Sequence, residues 1–243
     1  MGHSRLHETF GAIAAIRDAG QLPLVVFDLD STLFSTAPRN LRILEEFVAR
    51  HGDDEPRLRE VLASVCLDDM GWNIHDTLME RGLKDPSLLK ALRAFWFARF
   101  FTDEYVLTDT PTPGAVEFVN HCHDAGALIY YLSGRHVGGM EQGTVRSLTE
   151  HGFPFWRGRC VVHLKPTFEM ADRAFKDDAL ADIRSYRSPV AATFENEPGN
   201  ANLFLEAFPD ALHYFLETVH SPEAEVPHAD LIRGEDFCLP ART

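Results

Sequence analysis

An apolar segment that ends in two closely spaced carboxylates constrains the fold of this chain more than any other feature. Leu24–Phe27 consists of bulky and β-branched residues, which indicates a buried strand. Asp28 and Asp30 follow it, and in an extended chain their side chains point in the same direction. Carboxylates that lie so close repel each other unless a cation or a shared proton relieves the repulsion. Since ligands of open α/β sheets bind at the carboxyl ends of strands, the pair predicts a ligand site, whereas a turn or helix cap over residues 30–32 is the structural alternative.

Strand-like and helix-like segments alternate along most of the chain. Apolar positions at helical spacing predict helices over residues 6–19, 112–125, 141–151, 175–186 and 200–208. Short apolar runs predict further strands over residues 127–132, 160–164, 190–194 and 211–216. This alternation predicts an α/β fold, with a Rossmann-like parallel sheet and helices on both faces. The acidic, proline-containing segment 221–243 is expected to pack loosely on this core.

Too many residues separate the first strand from the second for a simple crossover. A strand–helix–strand unit takes roughly 30 residues, and the interval between Asp28 and Ser133 is several times longer. The surplus carries apolar residues at helical spacing, so we predict an inserted α-helical domain over residues 36–107. The core then consists of residues 1–35 and 108–243.

Composition narrows the classes of partner. The net charge of −14 opposes binding to a nucleic-acid polymer, which requires a basic surface. No apolar stretch approaches the ~20 residues that span a bilayer, and the N-terminus lacks an apolar signal region. The four cysteines form no Cys-x-x-Cys pair and are interpreted as reduced thiols. We therefore expect a cytoplasmic protein with neither a nucleic-acid polymer nor a membrane as its partner, and the charge does not exclude a nucleotide as substrate.

Several segments resemble the motifs of one enzyme superfamily. Residues 28–32, Asp-Leu-Asp-Ser-Thr after an apolar strand, are similar to the first motif of the haloacid dehalogenase (HAD) superfamily of phosphohydrolases. Ser133 and Gly134, at the end of a predicted strand, resemble its second motif, and Lys176, near the start of a predicted helix, resembles its third. The motifs occur in the order that is typical of the family. The same resemblance implies that the predicted insertion is a helical cap domain.

The resemblance also implies a role for each of these residues. Asp28 is expected to be the nucleophile that forms an acyl phosphate. Asp30 is expected to protonate the leaving oxygen and then to activate water, and it should titrate together with Asp28. Ser133, Gly134 and Lys176 are expected to contact the phosphate oxygens. The implied activity is the hydrolysis of a small phosphomonoester.

The fourth motif of the family is matched with a departure. Glu195 stands where an Asp is usual, and Asn196 stands where a second acid is common. The resemblance implies Mg²⁺ as the cofactor, held by Asp28, by the main-chain carbonyl of Asp30 and by Glu195. Such oxygen donors are the ligands that Mg²⁺ prefers. Asn196 and Asn200 are further candidates for the surroundings of the metal.

Some alternatives stay open at this point. Lys165 follows a predicted strand and is a rival phosphate ligand, whereas Arg135 either contacts phosphate or substrate or pairs with an acid. Asp30 argues against the dehalogenase branch of the superfamily, whose members use neither a second Asp nor a metal. A phosphomutase is one alternative function. Another is a phosphate- or ligand-binding module without turnover, which Glu195 and Asn196 keep open.

Overall fold

The computed structural model describes residues 5–53, 55–222 and 225–239. The strands in these ranges are β1 (Leu24–Phe27), β2 (Phe34–Ser35), β3 (Thr110–Pro111), β4 (Leu128–His136), β5 (Cys160–Lys165), β6 (Val190–Glu195), β7 (Leu212–Leu216) and β8 (Ile232–Gly234). Six of these strands form a central sheet in the order β5–β4–β1–β6–β7–β8. All neighbouring strands of this sheet run parallel, as the alternation of elements predicts. Strand β1 therefore lies between β4 and β6.

Helices pack on both faces of the sheet, which confirms the predicted α/β class. In chain order they are α1 (Glu8–Asp18), α2 (Ala37–His51), α3 (Arg57–Ala63), α4 (Ile74–Glu80), α5 (Pro86–Phe100), α6 (Asp103–Val106), α7 (Ala115–Asp124), α8 (Val137–Glu150), α9 (Asp172–Ser185) and α10 (Pro198–Ala207). Val25 packs in an apolar cluster with Ile13 and Phe118 of α1 and α7, whereas Val26 packs in another with Phe175 of α9. Successive strand residues point to opposite faces, so a strand that is covered on both faces is apolar throughout.

Helix α8 begins at Val137, earlier than the predicted start at residue 141. The glycines at 138 and 139 are poor helix formers, so propensity alone favours a later start. The packing of this helix requires small residues, because a Cβ on Gly139 would lie 3.0 Å from the carbonyl oxygen of Phe101 and a Cβ on Gly143 only 2.4 Å from that of Asp103 in α6. The small residues of α8 therefore allow the backbone of α6 to approach it closely.

The C-terminal segment packs more tightly than the sequence predicts. Ile232–Gly234 forms β8, which pairs in parallel with β7 and extends the sheet. Phe237 is buried, and its ring lies 5.4 Å from that of Phe194 and 5.5 Å from that of Phe118. The expectation of loose packing is wrong for this part of the segment. A three-residue strand among acidic and proline residues gives too short an apolar pattern to be recognised in the sequence.

The segment between β2 and β3 is helical and lies outside the central sheet. It contains α2 to α6 and a short 3₁₀ helix, Leu67–Asp69. Its helices have an apolar cluster of their own, which includes Phe47, Leu78 and Leu92. Strands β2 and β3 pair antiparallel, so the chain enters and leaves this insertion through a two-stranded ribbon. Of the helices that the structure describes, none has both the length and the apolar character needed to cross a membrane.

Candidate active site

The topology of the sheet brings the predicted site residues together. Asp28 follows the last residue of β1, Ser133 lies in the last part of β4, and Glu195 is the last residue of β6. Because β4, β1 and β6 are parallel neighbours, these residues meet at one edge of the sheet. Lys176, in the first turns of α9, joins them, and all of these residues line a cavity of about 520 Å³.

Asp28, Lys176 and Glu195 form a buried group that we call the Asp28 cluster. The Nζ atom of Lys176 donates hydrogen bonds to Asp28 Oδ1 at 2.6 Å and to Glu195 Oε2 at 2.8 Å. A third bond, of 3.1 Å, goes to the carbonyl oxygen of Leu132 in the middle of β4. Lys176 is only 2% exposed. The cluster thus holds two carboxylates and one ammonium group away from bulk water.

This surplus of acid determines the titration of the cluster. Burial and the neighbouring Glu195 carboxylate raise the pKa of Asp28 to about 7, although the Lys176 ammonium acts in the opposite direction. Burial alone would lower the pKa of Lys176, but the carboxylates of Asp28 and Glu195 raise it above its ordinary value. Lys176 is therefore charged at neutral pH, but its single positive charge compensates only one of the two carboxylates of the cluster.

Asp30 belongs to a second group, the Asp30 cluster, together with Arg39, Asp109 and Arg135. Asp30 Oδ1 accepts hydrogen bonds from Arg135 Nε at 2.8 Å, Arg135 Nη2 at 2.5 Å and Arg39 Nη2 at 3.2 Å. Asp109 accepts from Arg39 Nε at 2.9 Å and from Arg135 Nη2 at 2.8 Å. The side chains of Arg39, Asp109 and Arg135 are fully buried. Since Arg39 lies in α2 and Arg135 in β4, this cluster joins the insertion to the core.

Asp28 and Asp30 have different electrostatic surroundings, and the expectation that they titrate as a pair stays a prediction. Burial would raise the pKa of Asp30, but the guanidinium groups of Arg135 and Arg39 outweigh it and lower that pKa. Asp28, by contrast, is influenced more by Glu195 and Lys176 than by Asp30. The reason is local geometry. Strand β1 ends at Phe27, and the two carboxylates beyond it are held by different cations, that of Asp28 by Lys176 and that of Asp30 by Arg39 and Arg135.

The remaining predicted phosphate ligands also line the cavity. Ser133 is buried, and its Oγ accepts a hydrogen bond of 3.3 Å from the backbone amide of Arg135. A Cβ on Gly134 would lie 3.1 Å from the Asp172 carboxylate, so a side chain there would crowd the start of α9. Lys165, the rival ligand, donates to Asp172 Oδ1 at 2.6 Å. Arg135 is engaged in the Asp30 cluster rather than directed at a phosphate.

The two asparagines of the fourth motif have different surroundings. Asn196 Oδ1 accepts from Thr32 Oγ1 at 3.0 Å, and its Nδ2 donates to the carbonyl of Val219 at 2.6 Å. Asn196 therefore ties the loop after β1 to the chain after β7. Asn200 is also buried and lines the cavity, but its side-chain amide has no hydrogen-bond partner among the described residues.

A magnesium ion fits the donor set in part. Within the described ranges, no group of three or more His, Cys, Asp or Glu side chains is arranged to hold a metal. Glu195 Oε1 accepts from the amides of Asn196 and Glu197, and Oε2 accepts from Lys176, so both oxygens are engaged. Asp28 Oδ2, however, accepts no hydrogen bond from the described residues. Mg²⁺ commonly takes one or two protein carboxylates and keeps several waters, which suits Asp28 with the amide of Asn200 nearby.

Arg39 and Asp109 are site residues that the sequence did not indicate. Each lies near one end of the insertion, and neither belongs to a motif or an apolar pattern. Arg39 and Asp109 bind each other across 70 positions of the sequence, which is nearly the whole length of the insertion. Only the position of Arg39 on a helix next to the core would have indicated that it belongs to the site. That position is known from the structure and not from the sequence.

Comparison with solved structures identifies the fold. No protein-family model matches the sequence, and a search of curated proteins finds no match. A candidate phosphatase from Clostridium difficile superposes with a TM-score of 0.53 at 14% identity, over 84% of this chain and 89% of that one. A candidate haloacid dehalogenase-like hydrolase from Burkholderia xenovorans LB400 superposes with a TM-score of 0.50 at 16% identity, over 89% and 94%. The chain spans 62% of a class C acid phosphatase from Bacillus anthracis, with 80% of its own length, 14% identity and a TM-score of 0.42. The chain therefore has the haloacid dehalogenase-like fold, in agreement with the resemblance of its motifs.

Proposed function

We propose that this protein transfers the phosphoryl group of a small phosphomonoester to water, with Asp28 as the nucleophile. The observation that carries the proposal is the arrangement of Asp28 at the end of β1. One of its oxygens is held by Lys176 at 2.6 Å, and the other has no hydrogen-bond partner among the described residues. A carboxylate oriented in this way is suited to attack a phosphorus atom in the adjoining cavity.

The reaction proceeds in two displacements. Asp28 Oδ2 attacks phosphorus, a P–O bond forms, and the bond to the leaving oxygen breaks, so that an acyl phosphate results. A water molecule then loses a proton and attacks phosphorus, the P–O bond to Asp28 breaks, inorganic phosphate leaves, and the Asp28 carboxylate is regenerated. Asp30 is assigned both proton transfers, to the leaving oxygen in the first displacement and from water in the second. The Ser133 hydroxyl, which lines the same cavity, would orient the phosphoryl oxygens, and the positive charge of Lys176 would offset their negative charge.

Mg²⁺ is the proposed cofactor, with Asp28, the main-chain carbonyl of Asp30 and Asn200 as its protein ligands and Glu195 acting through a bound water. It would neutralise negative charge on the phosphoryl oxygens. The acid surplus of the Asp28 cluster supports this assignment, because a cation would offset both the burial and the repulsion from Glu195 that raise the pKa of Asp28.

The proposed acid–base role of Asp30 requires a change in its surroundings. Arg39 and Arg135 keep its carboxylate ionised, whereas a general acid must carry a proton. Arg39 belongs to the insertion, so a movement of the insertion as a cap would separate one of these cations from Asp30. The same contacts favour a second candidate function, a phosphate-binding module without turnover.

Phosphate release from sugar phosphates, nucleotides and phospho-amino acids, with and without Mg²⁺, separates the two candidates. Asp28→Asn should lose at least about 10³-fold in kcat, because an amide does not attack phosphorus. Asp178→Asn is the matched control, since Asp178 is exposed on α9. Mass spectrometry after mixing with an activated phosphate should locate the adduct on Asp28. An adduct elsewhere, or full activity of Asp28→Asn, would exclude the mechanism, and binding of orthovanadate without turnover of any substrate would favour the binding module.

A further inference from the structure

The outer wall of the cavity is aromatic. Among the described residues, the rings that line it come from the insertion and from the loop after β5, and they are Trp72, Trp96, Phe100, Phe101 and Phe168. The phosphate-binding end of the same cavity is polar, with Asp28 and Lys176. A ligand that fills the whole cavity would therefore meet charged groups at one end and aromatic faces at the other.

Most of these rings are already engaged with one another. Trp96 stacks on Phe100 at a centroid distance of 4.5 Å and donates its Nε1–H to Asn40 Oδ1 at 2.8 Å. Phe101 and Phe168 meet edge to face at 4.9 Å, which brings a ring of the insertion against a ring of the core. These contacts hold the aromatic wall in place, so these four rings are packed against one another without any ligand.

Trp72 differs from the other rings. Its side chain is 50% exposed, and no ring contact or hydrogen bond joins it to any other described residue. Exposure by itself does not indicate a binding role, because Trp156 is 73% exposed. Trp156, however, precedes β5 at the opposite end of the strands, is not part of the cavity wall, and donates its Nε1–H to Thr149. Trp72 combines a free ring with a place in the wall of the cavity.

The charged side chains around the outer part of the cavity are largely satisfied by their neighbours. Lys165 pairs with Asp172, and Arg173 donates to the carbonyl of Gly199 at 2.5 Å. Glu197 accepts from the amide and the hydroxyl of Ser221. Recognition of a charged leaving group would have to break these pairs, whereas recognition of a neutral planar group uses the free face of Trp72.

We infer that the substrate is a phosphomonoester whose leaving group carries a planar aromatic ring, and that this ring stacks on Trp72. The inference rests on the proposed function, because it assigns the phosphate to the Asp28 end of the cavity. A volume of about 520 Å³ is large enough for a nucleoside or an aryl group as well as the phosphate. Stacking of a base on an aromatic side chain should be worth about 5- to 150-fold in affinity.

Two pairs of substrates isolate the contribution of the ring. Nucleoside 5′-monophosphates and ribose 5-phosphate release the same kind of primary alkoxide as the leaving group, and only the nucleotides carry a base. Naphthyl and phenyl phosphate are both aryl esters and differ in ring area. We expect kcat/KM to favour the larger planar group in one pair by about 5- to 150-fold. A preference in the first pair identifies a nucleotide as the ligand, and a preference in the second identifies an aryl phosphate.

Variants of Trp72 then test the assignment of the ring. Trp72→Ala should reduce the kcat/KM ratio of the preferred pair towards one, Trp72→Phe should retain most of it, and Trp156→Ala should leave it unchanged. Binding of the same compounds, followed by quenching of tryptophan fluorescence, provides a readout that does not require turnover. Hydrolysis with equal rates within both pairs, or an unchanged ratio in Trp72→Ala, would overturn the inference and leave the proposed function intact. Ring-selective quenching that is lost in Trp72→Phe, without hydrolysis, would support the inference and overturn the proposed function. The absence of both hydrolysis and binding would overturn both.

Discussion

Asp28 and Asp30 lie two positions apart in one loop and belong to two different clusters of charged side chains. The two clusters differ in how completely their charges are compensated. The Asp28 cluster has two carboxylates for the single ammonium of Lys176. The Asp30 cluster has two carboxylates for two guanidinium groups. The first therefore keeps a surplus of negative charge that a metal ion can neutralise, while the second is balanced without any ligand.

The clusters also connect different parts of the molecule. Asp28, Lys176 and Glu195 come from β1, α9 and β6, which all belong to the core. The Asp30 cluster includes Arg39 of α2 and Asp109, next to β3, at the two ends of the insertion. The proposed nucleophile thus belongs to the unbalanced cluster, whereas the balanced cluster, which contains the proposed acid–base residue, also joins the insertion to the core. The short loop between Asp28 and Asp30 links the two.

The largest effect on stability should come from unbalancing the Asp30 cluster. Asp109→Asn leaves two buried guanidinium groups with one carboxylate, and arginine cannot lose its proton. We expect the free energy of unfolding in urea to fall by about 3–5 kcal/mol. Lys176→Met leaves Asp28 and Glu195 without their cation, but a carboxylate can take up a proton. The free energy of unfolding of this variant should therefore fall by less at pH 5. A cost below about 1 kcal/mol for Asp109→Asn would show that the cluster does not hold the insertion.

The clusters should respond to pH in opposite senses. The folded pKa of Asp28 is raised to about 7, above its unfolded value of about 3.9. Between these pH values the folded state binds more protons, so in the absence of metal the free energy of unfolding should fall as pH rises, by at most about 1.4 kcal/mol per pH unit. The pKa of Asp30 is lowered, so its contribution is present above about pH 3.9 and is lost as pH falls through the folded pKa.

Urea unfolding at a series of pH values, with EDTA present, tests both signs. Asp28→Asn should reduce the decline between pH 4 and pH 7, and Asp30→Asn should reduce the decline below pH 4. A parent protein whose stability rises steadily from pH 4 to pH 7, or an Asp28→Asn variant with an unchanged slope, would contradict the assignment of surplus acid to the Asp28 cluster.

The same contrast shows what the sequence was able to predict. Asp28, Ser133 and Glu195 lie where apolar strands end, and parallel strands bring their carboxyl ends together whatever the loops do. Their place at the same edge of the sheet could therefore be expected from the parallel arrangement, whereas the adjacency of β4, β1 and β6 was learned from the structure. Lys176 follows the same logic, because it lies near the start of a helix that packs beside those strand ends.

The Asp30 cluster could not be predicted in this way. Its geometry depends on the fold of the whole insertion, which brings Arg39 and Asp109 together beside Arg135. The pairing of Arg39 with Asp109 joins residues at opposite ends of that insertion. The strand β8 was missed for a related reason, because its pairing with β7 depends on backbone contacts that three residues of sequence pattern do not reveal.

The smallest expected effect concerns the acid that the fourth motif lacks. Asn196→Asp would keep the bond from Thr32 but would place a carboxylate oxygen against the carbonyl of Val219. We expect the free energy of unfolding of this variant to fall by about 1–3 kcal/mol in metal-free buffer, because the donor to Val219 is gone and a further negative charge lies beside the Asp28 cluster. Mg²⁺ should recover part of this loss, so the Tm of Asn196→Asp should rise more with added Mg²⁺ than that of the parent.

The matched control for this last variant is Asn202→Asp. The side chain of Asn202 likewise donates to a carbonyl, that of Val226, and accepts from the amide of His228, but it lies outside the cavity. Asn202→Asp should therefore lose stability without gaining any response to Mg²⁺. A difference between the two responses would show that the Asp28 end of the cavity is where added negative charge attracts the metal. Equal responses to Mg²⁺ in the two variants would mean that the ion acts on the negative surface of the protein as a whole. The surplus charge of the Asp28 cluster would then not explain metal binding.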